Sequence, residues 1–224
     1  MANKVISLPK SLTDPTQWDQ LVQKSKSYRL QSLQLSPEAF SSTYAREVEF
    51  PNEIWESRLK NASALNTIVV SDPSPGSADD LSLILNSPWI ASLVLSGPLN
   101  AATAAKDWEE HLNFAPGTNY FGPVPPEIET AYVLNAIYVL PSERRKGLAN
   151  QLIEYAKRYA VEVNKGKKVM LVLLVNFESI AARKCYAKSG FELVHECWFR
   201  EPDDSGTKGH AAVMRLDVCS DMSS

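Results

Sequence analysis

Three cations stand in succession at Arg144, Arg145 and Lys146, followed by Gly147, inside the stretch "YVLPSERRKGLANQLIEYAKRYA". An apolar run ends at Leu140, Pro141 turns the chain, and Leu148, Leu152, Tyr155 and Tyr159 then recur at helical spacing. Cations at a helix start lie at the positive end of the helix dipole, an unfavourable place for them. An anion bound there reverses that sign, and the free N–H groups of the first helical turn already form an anion site. Gly147 sits where the backbone can approach a ligand closely or take a positive φ. The chemistry implied is the holding of a large, multiply charged anion such as a pyrophosphate. A solvated basic turn is the competing reading of the same residues. Neither of the common glycine-rich phosphate loops, GxxxxGK[ST] or GxGxxG, occurs anywhere in the 224 residues.

The elements that must position this loop are legible as a strand before it and a helix after it. The alternation continues: strand "ETAYVLNAIYVL", helix "GLANQLIEYAKRYAVEVN", strand "KVMLVLLV", helix "SIAARKCYAKSG", strand "FELVHECWF". This order predicts right-handed crossovers and parallel pairing in the C-terminal half. The uniformly apolar "VMLVLLV" is what a strand covered on both faces requires. A closing strand, "HAAVMRLDV", follows a loop long enough for an antiparallel return.

Upstream, Leu21, Tyr28, Leu30, Leu33 and Leu35 predict a helix that stops before Pro37. Shorter helical patterns follow through Phe40 and Tyr44, and through Ile54, Trp55 and Leu59. "LNTIVVS" and "WIASLVLSG" predict strands. Pro98 to Pro126 reads as an insertion carrying Trp108, Phe114, Tyr120 and Phe121: a lid, a dimer contact, or a self-packed excursion, the last slightly favoured. The fold class expected is α/β or α+β, a mixed central sheet with helices on both faces. The chain is read as one domain over 1–224 with an insertion at 98–126.

Composition narrows the function classes. A net charge of −3 offers no global basic field for nucleic acid or an anionic membrane. The three cysteines, Cys185, Cys197 and Cys219, show no close pairing, which suits a reducing compartment and gives no zinc pattern. No signal-peptide core and no membrane-length apolar run is present, so a cytoplasmic protein is expected, with the nucleus open.

The stretch "NAIYVLPSERRKGLANQLIEYA" resembles the acetyl-CoA motif of the Gcn5-related N-acetyltransferases (GNAT), [QR]-x-x-G-x-[GA], with Arg144, Gly147 and Ala149 in its fixed positions. "SIAARKCYAKSGF" resembles that family's second signature, with Ala182, Tyr186, Gly190 and Phe191 in place and Ser179 where the family has Asn. "YRLQSLQLSPEAFSSTYARE" looks like its first two helices. The resemblance implies a sheet with a splayed parallel strand pair whose gap takes the cofactor arm.

It further implies binding of acetyl-CoA through Ile137, Tyr138, Val139, Arg144, Arg145, Lys146, Gly147, Leu148, Ala149, Asn150, Ser179 and Tyr186, with no metal. The expected activity is acetyl transfer to a primary amine, of a small molecule or of a protein N-terminus or lysine, by direct attack in a ternary complex. The alternative is a CoA-binding protein of the same fold without turnover. Acyl transfer needs a neutral amine, an oxyanion donor and a proton for the departing thiolate. Tyr186 is the acid expected, with packing on the sheet as its other role. For the base, Glu127, Glu129, Glu47, Glu49, His195 and His210 stay open, with Glu129 carried forward. Phe40, Tyr44 and Asn135 are the expected acceptor-binding residues. No partner nucleic acid or membrane is expected.

Overall fold

Period-two apolar runs and short amphipathic helices account for the elements found. The computed structural model describes residues 2–72, 79–106, 108, 119–200 and 208–219. In chain order the elements are β1 (Ala2–Ser7), α1 (Pro15–Leu35), α2 (Tyr44–Val48), α3 (Asn52–Lys60), β2 (Ala64–Asp72), α4 (Asp80–Asn86) and β3 (Trp89–Asn100). They continue with β4 (Thr130–Val139), α5 (Leu148–Val163), β5 (Val169–Asn176), α6 (Ile180–Lys188), β6 (Glu192–Arg200) and β7 (Lys208–Val218). The strands form one mixed sheet of seven in the order β1-β2-β3-β4-β5-β7-β6. The chain divides into two compact units, one of Met1–Leu95 with Ala136–Leu152, the other of Ser96–Asn135 with Ile153–Ser224.

In the first unit, α1 starts as its sequence dictates. Asp14 accepts a hydrogen bond from the Thr16 N–H at 2.8 Å, and Pro15 occupies the first turn, where its missing N–H costs nothing. The helix stops at Leu35, and the Ser36 N–H closes it on the Ser32 carbonyl at 3.0 Å. Its buried face, Leu21, Val22 and Tyr28, packs with Trp55, Leu59, Ile68, Trp89 and Tyr138. Tyr28 is the hinge of an aromatic cluster, 5.7 Å from Trp89 and 6.3 Å from Tyr138 between ring centres. β1 lies antiparallel to β2, with Val5 opposite Val69 and Ile6 opposite Ile68. The one buried carboxylate among the described residues of this unit, Glu47, is clamped by Arg29 (Nη2 to Oε1, 2.7 Å) and Arg58 (Nη1 to Oε2, 2.7 Å).

In the second unit, β4 and β5 pair in parallel from Thr130↔Val169 to Leu134↔Leu173, where the ladder ends. β5 has no polar face, as "VMLVLLV" requires; Val169 to Leu173 are all buried. The expected parallel neighbour on its other side is corrected: β7, antiparallel, pairs with β5 from Val169↔Val218 to Asn176↔Ala211, and β6 pairs with β7 outside it. β6 still runs in the direction of β5. The loop before β7 is long enough to let the last strand return into the slot that a simple crossover would have filled.

The described part of the 98–126 segment is packed on its own unit. Phe121 is fully buried, Trp108 meets it edge-on at 4.9 Å, and Tyr120 meets His195 edge-on at 4.9 Å. Arg215 pins the segment by donating through Nη1 to the carbonyls of Phe121 (2.9 Å) and Pro123 (2.7 Å), while Asp217 holds the rest of its guanidinium in a fork. Phe114 lies outside the described residues.

Candidate functional site

The cationic loop is assembled in the first unit. Pro141–Glu143 make one 3₁₀ turn, Arg145 takes φ 65° and Gly147 φ 80°, and the first helical hydrogen bond runs from the Gln151 N–H to the Gly147 carbonyl at 3.1 Å. The Leu148 and Ala149 N–H groups therefore stand ahead of the helical ladder, as an anion site needs. Leu148 is buried and anchors the helix start, while Arg144 to Gly147 are exposed. A Cβ built at Gly147 would meet nothing within 4 Å, so glycine is required by the left-handed backbone, and the space in front of it is open.

The three cations have different duties. Arg144 turns back onto the protein: its Nη2 donates to Ser36 Oγ at 2.7 Å and its Nε to the Val139 carbonyl at 3.2 Å. Its guanidinium also lies 6.0 Å from the Tyr138 ring centre. Lys146 pairs with Glu143 at 2.9 Å. Arg145, beside the open space, is exposed. Open volume, unspent N–H groups and flanking cations fit a diphosphate-bearing group such as that of CoA, held at Arg145 to Asn150.

Before the loop, β4 departs from plain alternation. Ala136 takes φ 49°, a left-handed residue within a strand, and both Asn135 and Ala136 are exposed after four successive buried positions. Plain strand alternation, which would put Asn135 and Ile137 on one face, is thereby interrupted. Tyr138 is buried in the first unit's core, with Phe40 against it at 5.4 Å between ring centres and Ser36 Oγ 3.4 Å from its hydroxyl. The Arg29 guanidinium covers Phe40 at 4.2 Å. Tyr44 opens α2 and is exposed. Ser36 is the residue sequence reading missed. A serine before proline reads only as a helix stop, and nothing local points to a partner 108 residues away.

In the second unit, Tyr186 sits on α6 in edge contact with Phe191 at 6.3 Å; burial drives its phenol pKa up, with neighbouring Cys185 acting the same way. Its hydroxyl therefore stays protonated at neutral pH. Ser179 begins α6 without spending its hydroxyl on a cap. Asn135 donates to Ser96 Oγ at 3.1 Å. Glu129 and Glu127 are exposed and pair with Lys167 (3.3 Å) and Lys168 (3.4 Å).

Two further groups considered as bases are also engaged. For Glu47, burial alone would raise the pKa, but the hydrogen bonds from Arg29 and Arg58 outweigh it and hold the carboxyl at about 2, too acidic to take an ammonium proton. His210 is stacked between Trp198 (4.1 Å, 4°) and Phe177 (4.2 Å, 21°), two near-parallel rings that must cover opposite faces. Its Nε2 meets Glu196 at 2.7 Å and its Nδ1 lies 3.7 Å from Glu178. Among the described residues, no group of three or more His, Cys, Asp or Glu is placed to hold a metal, and no helix is long and apolar enough to cross a membrane.

Residues 107–193 match the family model described as an acetyltransferase (GNAT) domain. No curated protein matches the chain in sequence. Among solved structures, the chain is similar to Arabidopsis thaliana NAA60 in complex with a bisubstrate analogue, at TM-score 0.60 and 11% identity over 97% of this chain and 99% of that one. NAA60 is also known in complex with acetyl-CoA. A Sinorhizobium meliloti phosphinothricin acetyltransferase in complex with acetyl-CoA follows at 0.57 and 12%, covering 100% of this chain and 92% of that one. Vibrio cholerae spermidine N-acetyltransferase with CoA and spermine stands at 0.52 and 13%, covering 96% and 95%. At these identities the likeness is one of fold. Residues 107–193 thus match an acetyltransferase (GNAT) domain model, and nearly the whole chain shares the fold of solved acetyltransferases of that family.

Proposed function

We propose that the protein is an N-acetyltransferase that takes its acetyl group from acetyl-CoA and transfers it to a primary amine by direct attack in a ternary complex. The observation that carries this reading is the loop Arg144–Asn150: a helix start with N–H groups ahead of the ladder, a left-handed Gly147 facing open space, and cations around it. Acetyl-CoA, when bound, supplies the activated acetyl thioester. This chain's residues do the rest. Backbone groups of Ile137 to Val139 orient the pantetheine arm, and Ser179 offers its unspent hydroxyl. Tyr186, whose phenol keeps its proton, is the acid toward the departing sulfur. Glu129 draws the amine's proton through water. Phe40, Tyr44 and Asn135 receive the acceptor. Solved structures of like fold include a ribosomal-protein-S18-alanine N-acetyltransferase and a spermidine N-acetyltransferase in complex with CoA and spermine, so a small amine and a protein N-terminus or lysine both stay in scope.

Two measurements test the reading. Calorimetry should give one CoA per chain, with binding lost in Gly147→Asp, which sets a carboxylate against the diphosphate. Thiol release from acetyl-CoA over a panel of amines should show turnover. A chain that binds CoA and releases no thiol with any acceptor is the non-catalytic alternative, and equal CoA binding by a folded Gly147→Asp sinks the loop assignment.

A further inference from the structure

The Arg144 guanidinium is engaged by the protein itself, whereas the space beside Gly147 is open. An arginine whose charge served the anion directly would be expected beside that space; this one forks instead between the Val139 carbonyl and Ser36 Oγ. Ser36 is itself buried, and it ends α1 at the turn that leads through Pro37–Ala39 to Phe40. Arginine can only donate, so Ser36 Oγ accepts from it, and the same Oγ lies 3.4 Å from the Tyr138 hydroxyl, a contact in which either group can donate. Tyr138 in turn carries Phe40 at 5.4 Å. A chain of directed contacts thus runs from the loop, through Ser36 and Tyr138, to a residue of the proposed acceptor wall.

We propose that Arg144 is a positioning residue, which fastens the cosubstrate loop to the end of α1 through Ser36 and so sets the loop and the Phe40 wall in one geometry. The proposal rests on the acetyltransferase reading above for what the loop and the wall bind. The fork is the reason for arginine: two donors on one rigid plane reach a main-chain oxygen of β4 and a hydroxyl of α1 together, which lysine's single ammonium at the end of a flexible stem does not. The charge on the loop is then supplied to the anion by Arg145, Lys146 and the helix N–H groups.

The test is a cycle of Arg144→Lys, Ser36→Ala and the double variant, with Ser36→Thr as the hydroxyl-keeping control. Hydrogen bonds to charged groups are worth enough that each of the first two should weaken CoA binding by about tenfold in calorimetry. The double variant should be no weaker than the worse single one, and Ser36→Thr should recover most of the loss. Amine KM should rise in both single variants as Phe40 loses its support. Arg144→Lys binding CoA like the parent, Ser36→Ala having no effect, or the two losses simply adding, each overturns the tether. If the parent itself binds no CoA, the acetyltransferase reading fails while the tether is still judged. The parent and the same four variants are then compared by thermal unfolding, where coupled losses support it and additive ones overturn it.

Discussion

At the scale of single residues, environment decides which groups can take part in proton transfer. The Tyr186 phenol, already neutral at pH 7, is moved further from ionisation by burial, and the role proposed for it belongs to the moment when charge develops on sulfur. Tyr186→Phe should lower kcat by about 10²–10⁴-fold with CoA affinity nearly unchanged, measured by steady-state kinetics beside calorimetry; a loss under about tenfold makes it a packing residue. Glu47 is the opposite case. Its folded pKa, about 2, lies below the 4.5 of a free glutamate, so the stability it contributes is fully present above pH 4.5 and is lost as pH falls toward 2. Glu47→Gln leaves Arg29 and Arg58 facing a neutral group and should cost on the order of 3 kcal/mol at pH 7. The gap between variant and parent in denaturant melts should narrow below pH 4.5; a gap that stays constant to pH 2.5 removes the ion pair as its source.

At the scale of elements, the sequence carried most of what local physics controls. The α1 stop before Pro37, the apolar β5 and the strand–loop–helix around Gly147 could all be read from residue type and spacing. β1 and α4 were not, because six and seven residues are too few for a period to stand out, and β1 is stabilised by its ladder with β2 rather than by its own pattern. The insertion of β7 between β5 and β6 was equally hidden, since pairing partners are chosen over long sequence separations. Of the candidate site, the loop and the Tyr186 signature were legible. The engagement of Arg144 by Ser36 was not, being a contact between distant segments. The described part of the 98–126 segment behaves as an element of the second unit's core, not as an open flap. Phe121→Ala should therefore cost about 3–5 kcal/mol of stability by chemical denaturation, and a cost below 1 kcal/mol would show that the segment is only laid on the surface.

At the scale of the whole molecule, a net charge of −3 means that no broad field gathers anionic ligands. CoA binding should accordingly weaken with salt only as far as a few local cations dictate. A log–log slope of calorimetric affinity against salt near 1–3 is expected, and one near zero would remove Arg145 and Lys146 from the diphosphate. The match to a family signature is confined to residues 107–193, while likeness in fold extends over 97% of the chain, so the N-terminal helices keep their shape with little sequence in common. One feature of the closing hairpin gives the molecule an optical handle. Trp198 lies flat on His210 at 4.1 Å, so the surroundings of its indole are set by a ring of the neighbouring strand. Of the five tryptophans, Trp198 is the one stacked on histidine among the described residues. Its contribution, isolated as the parent spectrum minus that of Trp198→Phe, should move toward that of a solvated indole in His210→Ala, so that the hairpin reports its own packing without a label.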